Sequence, residues 1–174
     1  MSEKYRFFEG GLFFVTMTVV GWIDVFSRKL YADEIIKSLN YCIEHKGLQV
    51  FEFVIMTNQI HMICSARDGN VSKIIKDFKS FTAKEIIRLI QENKRESRKE
   101  WLLYMFRYFA RATSPKCEFQ FWQHRNHPVS LETNRFIRQK TNYILNNPVK
   151  AGIVVEPQHY IYSSANPNTE LKLS

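Results

Sequence analysis

No apolar run in the sequence approaches the roughly 18 residues that a membrane-spanning helix needs. The opening residues, Met1 to Arg6, are polar and charged and do not read as a signal peptide. The expectation is therefore a soluble, cytoplasmic protein, associated with the nucleoid if its partner is DNA. Cysteine is scarce: Cys42, Cys64 and Cys117 are an odd set with no CxxC pair, which argues against a disulfide framework and against a zinc knuckle. No internal repeat, low-complexity tract or linker divides the chain, and no Walker-type phosphate loop is visible. Acidic residues are too few to balance the basic ones, 17 against 25, leaving a net charge of +8. That excess points to an anionic partner, with nucleic acid first among the candidates.

What is present is enough for one ordinary domain spanning 1–174, with a core over about 5–165 and an irregular C-terminal tail. The 174 residues are 45% hydrophobic. Leu12 to Val20 is β-rich and bounded by glycines, so it reads as a strand. Tyr31 to Lys46 spaces its apolar residues for a helix that Gly47 ends. Leu48 to Met56 and Gln59 to Ala66 read as a hairpin turning at Thr57-Asn58. Val71 to about Asn93 is a long amphipathic helix, and the following charge run to Glu100 reads as solvated or loosely helical. Trp101 to Ala112 reads as a further helix, broken by Pro115. Glu118 to Trp122 is a plausible short strand, Asn134 to Asn146 a last helix stopped by Pro148, and Gly152 to Val155 an edge strand. This order predicts an α+β fold of the split βαβ, ferredoxin-like (RRM-like) kind, an antiparallel sheet with helices on one face.

Two places could carry chemistry. In a strand, Gln59 and His61 point to the same side, with Ile60 opposite. They read either as two ligands of a divalent metal or as a hydrogen-bonded polar pair on a solvated face. Tyr143 and Asn147 are four residues apart and share a helix face. A tyrosine beside a metal-polarised phosphate can act as a nucleophile, and Asn147 could add an oxygen ligand. The same residues also read as a core tyrosine and an ordinary asparagine near a helix end.

Four stretches, in order, carry a family resemblance: FFVTMTVVGWIDVF (Phe13 to Phe26), FEFVIMTNQIHMI (Phe51 to Ile63), DFKSFTAKEII (Asp77 to Ile87), and FWQHRNHP (Phe121 to Pro128) leading into NYILNNPVKAGIV (Asn142 to Val154). The chain resembles the REP-associated tyrosine transposases, single-tyrosine relatives of the insertion-sequence-200-like superfamily with an HUH site. The resemblance implies a ferredoxin-like domain, usually a homodimer, that cuts single-stranded DNA beside a hairpin with Mg2+ or Mn2+. It puts the nucleophile at Tyr143, the second metal-binding histidine at His61 and the polar ligand of the last helix at Asn147. The product would be a 5′-phosphotyrosine and a free 3′-hydroxyl.

The sequence departs from the family at Gln59, which stands where the first histidine belongs. A neutral amide oxygen is usually a weaker ligand than imidazole toward transition metals. A chain that binds structured single-stranded DNA with weakened or lost cutting is the alternative. Secondary candidates for DNA contact are His127, Lys76, Lys79, Lys84, Arg88, Arg107, Arg111 and, for base stacking, Trp122. Each cation taken alone also reads as part of a solvated helix face, and Trp122 as core or rim.

Overall fold

The computed structural model describes residues 7–113, 117–124, 126 and 128–174. The elements are β1 (Phe13–Thr18), α1 (Lys29–Lys46), β2 (Leu48–Ile55), β3 (Gln59–Ala66), α2 (Val71–Glu92), α3 (Lys99–Thr113), β4 (Val129–Ser130) and α4 (Asn134–Lys150). The strands form one antiparallel sheet in the order β2-β3-β1-β4. The expected α+β architecture with an antiparallel sheet is the observed one, but the helices do not all lie on one face as expected, because Phe14, Val54 and Ile63 on the other face are apolar and take α4 as their cover.

Alternation along the strands sorts side chains into two cores. Phe13, Val15 and Met17 of β1 and Ile60, Met62 and Cys64 of β3 are fully buried in a large cluster with Tyr31, Ile35 and Leu39 of α1 and Ile75 and Phe78 of α2. The intervening residues face the other way. Phe14, Val54 and Ile63 form a second cluster with Met56, Leu131 and Ile144 of α4. So α1 and α2 cover one face, and α4 adds a layer on the other. Burial of Ile144 contributes about 2 kcal/mol and fixes α4 over the sheet.

The helix ends follow local chemistry. Asn70 caps α2 by accepting from Lys73 N at 3.0 Å, and Thr133 caps α4 by accepting from Phe136 N at 3.3 Å. Gly47 closes α1 in the left-handed region, φ 73°, where a side chain would be strained.

Four local expectations are corrected. Residues 118–122 make no strand: Gln120 N donates to Phe106 O and Gln123 N to Thr18 O, so their bonds are split between α3 and β1 and only an isolated bridge, Val19 to Trp122, forms. The fourth strand is Val129–Ser130 instead. Pro148 does not stop α4, because it lies in the final turn; its ring is buried, and the ladder closes beyond it through Ala151 N to Asn147 O at 3.0 Å. Residues 152–155 turn at Gly152, φ 70°, rather than extending as a strand.

The charge run is also not wholly solvated, since Glu96 is buried. Its carboxylate meets Arg98 at 3.1 Å and Arg28 at 3.6 Å and accepts from Tyr31 Oη at 3.3 Å. Desolvation opposes its charge, yet the Arg98 hydrogen bonds hold the carboxyl below its usual range.

The C-terminal tail has no long element, as expected, but it is tied to the outer side of β2. Ile55 N donates to Tyr162 O, Ser164 N to Phe53 O and Ser174 N to Val50 O. Among the described residues, no helix is long and apolar enough to cross a membrane.

Candidate active site

The site is assembled by β1, β3 and α4 on the face away from α1 and α2. Antiparallel register sets Thr16 opposite His61 and Thr18 opposite Gln59. His61 is 3% exposed. Its Nδ1 lies 2.8 Å from Thr16 Oγ1, while Nε2 is buried without a hydrogen-bond partner. With the proton on Nδ1 and donated to Thr16, Nε2 presents a free lone pair. Burial, and secondarily the charge of Lys140, pushes the imidazole down to about 4, so it is neutral at pH 7.

From α4, Ile144 points into the core and its neighbour Tyr143 reaches the rim, 38% exposed. The Tyr143 ring stands edge-on to His61 and to Phe14, and Phe14 lies parallel to His61 with centroids 5.7 Å apart. The sequence reading thus picked out Tyr143 and His61 as separate motifs, and the fold brings them into ring contact. Gln59 and Asn147 are half-buried. Among the described residues, neither side-chain amide makes a hydrogen bond, whereas Asn146 donates to Asn142 O at 2.9 Å.

Two residues escaped sequence reasoning. Lys140 lies one turn before Tyr143 and holds its Nζ 4.3 Å from the Phe14 ring centroid and 5.6 Å from that of Tyr143. Its position three residues before the tyrosine was the available signal. Thr16 orients His61, but its role depends on strand register, which no local motif announces.

The donor chemistry suits a weak divalent-cation site. One neutral imidazole has a free nitrogen, and two amides have uncommitted oxygens. Among the described residues no three His, Cys, Asp or Glu side chains gather.

The secondary candidates scatter. Trp122 is buried and donates from Nε1 to Thr82 Oγ1 at 3.0 Å; it is corrected to a core residue, because its ring packs against Phe26 and Phe121. Lys79 is tied to Gln123 O and Asn126 Oδ1, both at 2.6 Å, and burial lowers its ammonium to about 8. Arg88 is engaged by Glu85 and Glu92. Lys76 and Lys84 are exposed on α2, in the layer opposite α4. Arg107 meets Glu118 at 3.3 Å and stacks on Phe119, and Arg111 is exposed. His127 lies outside the described residues.

Comparison with known proteins gives the class and then the family. Among solved structures, that of a REP-associated tyrosine transposase bound to a REP hairpin is similar, with a TM-score of 0.59 at 18% identity over 94% of this chain and 82% of that one. At that identity the likeness speaks for the fold alone, which the two chains share. The family model described as "Transposase IS200 like" matches residues 22–124, more than half of the chain. The chain belongs to the IS200-like transposase family. Comparison with curated proteins finds no match. The segment that the family model matches holds Gln59 and His61 but ends before α4, which carries Tyr143 and Asn147.

Proposed function

We propose that this protein cleaves and rejoins one strand of DNA beside a hairpin, as a transposase with Tyr143 as nucleophile. The observation that carries the reading is the meeting of a half-exposed phenol with a neutral, buried imidazole whose Nε2 is free, on one open side of a transposase fold. The Tyr143 oxygen attacks a backbone phosphorus. The bond from phosphorus to the 3′ oxygen breaks, the phenol loses its proton, and the departing strand end takes one up as a 3′-hydroxyl. The product is a 5′-phosphotyrosine, and attack by a 3′-hydroxyl reverses the step. Lys140 supplies positive charge beside the phenol, and Thr16 holds the His61 ring in place.

Magnesium or manganese would be held by His61, Gln59 and Asn147 and would neutralise phosphate charge when bound. The partner is single-stranded DNA flanking a hairpin, and the working form is a homodimer. Support for the DNA class comes from family membership and from the hairpin bound by the structurally similar transposase.

A labelled hairpin oligonucleotide with a single-stranded flank, incubated with manganese, should yield a covalent adduct that is lost in Tyr143→Phe. An equal yield from the Phe variant would reject Tyr143 as nucleophile.

One observation favours a second reading, a protein that recognises structured single strands without cutting: Gln59 stands where the resemblance expects a histidine. Cleavage absent in the natural protein and appearing in Gln59→His would establish that reading.

A further inference from the structure

The outward side of α3 carries a row of large aromatics that no other described residue covers fully. Leu102, Leu103, Phe106 and Ala110 turn into the core. Trp101, Tyr104 and Tyr108 face solvent, at 48%, 64% and 55% exposure. At 1.5 Å per residue they are spaced about 4.5 and 6 Å apart along the helix axis. Arg111 extends the same stripe one turn beyond Tyr108 and, among the described residues, has no partner.

A fourth exposed aromatic stands on the segment that packs along α3. Trp22 is 59% exposed and adopts φ 56°, a left-handed backbone that a bulky residue rarely takes. The segment that holds it lies along α3. A Cβ on Gly21 would meet the Phe109 ring at 2.6 Å, and Arg98 donates to Asp24 O at 2.9 Å. Trp22 thus presents its indole to solvent from a segment packed along α3, in a backbone conformation strained for a bulky residue.

The backbone of Trp22 is also tied to the turn beside the candidate site. Asn58, the residue before Gln59, donates from Nδ2 to Trp22 O at 3.1 Å. Trp22 therefore sits at the Gln59 end of β3, on a segment that α3 packs against.

We propose that Trp22, Trp101, Tyr104 and Tyr108 form a stacking shelf for the unpaired bases of the single-stranded flank, with Arg111 pairing with its backbone phosphate. The proposal rests on the DNA-cleaving reading for the identity of the strand, and it adds the path that strand takes. Flat faces suit any base, so the shelf grips without reading sequence. The choice of nucleic acid over a second copy of the chain rests on the basic balance of the protein, the guanidinium in the stripe and the tie of Trp22 to the turn beside the site.

The test measures binding separately from cutting. Affinity of the full chain is compared for a hairpin with a 12-nucleotide poly-dT flank and for the same hairpin without it. Tyr104→Ala/Tyr108→Ala should bind the flanked hairpin on the order of 10- to 100-fold more weakly, with affinity for the blunt hairpin kept, and Tyr104→Phe/Tyr108→Phe should restore the loss. A flank carrying 5-iododeoxyuridine, irradiated on the unaltered protein, should crosslink to one of the four aromatics. Unchanged affinity for the flanked hairpin, or crosslinks confined elsewhere, would overturn the shelf. So would a change in oligomeric state with DNA affinity unaltered, which would assign the stripe to a second copy. A shelf-dependent affinity in a protein that forms no adduct would sink the cutting reading alone; adduct formation with shelf variants binding normally would sink the shelf alone.

Discussion

The ring of Tyr143 meets the imidazole of His61 edge-on, with centroids 5.2 Å apart and planes at 80°. Both touch Phe14, so the nucleophile candidate is held by a triad of rings. Edge contacts of this kind contribute about 0.5–1.5 kcal/mol each. Tyr143→Phe keeps the ring and should unfold within about 0.5 kcal/mol of the natural protein, as ordinary rim substitutions do, while losing the adduct. Tyr143→Ala should lose the adduct and about 1–2 kcal/mol besides. Urea unfolding distinguishes them, and equal stability of the Phe and Ala variants would refute the ring triad.

Lys140→Met removes the cation over Phe14 while keeping much of its bulk. Because the Lys140 charge helps to depress His61, the variant should show the His61 imidazole titrating higher in NMR spectra. The salt slope of DNA binding should fall by about one if Lys140 meets a phosphate. A slope identical to that of the natural protein would remove Lys140 from the DNA contact.

His61 makes stability depend on pH in a defined window. The unfolded imidazole takes its proton near its ordinary value of 6.5, and burial lowers that of the folded one to about 4. Between those values the unfolded chain binds more protons, so stability is full above 6.5 and falls as pH drops toward 4. The loss from this one group is at most roughly 3 kcal/mol at 1.36 kcal/mol per pH unit. His61→Gln should therefore lose less stability than the natural protein between pH 7.5 and pH 4.5. Parallel losses in the two proteins would show that His61 does not titrate as described.

Gln59→His should tighten manganese binding, by about 10- to 100-fold if the added imidazole completes the ligand set. Calorimetric titration reads this without any cleavage step. No change in affinity would place residue 59 outside the metal site.

Gly21→Ala should cost about 2–4 kcal/mol. The position has φ 61°, and the added methyl would meet the Phe109 ring at 2.6 Å, combining left-handed strain with overpacking. A stability change under 0.5 kcal/mol would show that the loop relaxes freely.

Much of this architecture was legible locally. The strand over Gln59–Ala66 was read with its observed limits because apolar alternation there is strong, and that alternation alone put Gln59 and His61 on one side. What failed depended on tertiary hydrogen bonding. Residues 118–122 have strand-like side chains, yet Phe106 and Thr18 take their amides in different directions. Glu96 sat in a stretch that looked solvated, because nothing local shows that Arg28 and Arg98 converge on it. Lys140 resembled any lysine on a polar helix until α4 was laid across Phe14. The seam between Tyr143 and His61 needed the resemblance, since the two lie 82 residues apart.

The bonds from Tyr162, Ser164 and Ser174 to β2 have a consequence beyond holding the tail in place. A border strand with bare amides and carbonyls acts as a template for a neighbouring molecule, which is how sheets spread from chain to chain. Here part of that template is already read by the chain's own C-terminal residues. The tail thus leaves less of this border open to a neighbouring molecule, and loss of the last dozen or so residues should expose more of it to pairing.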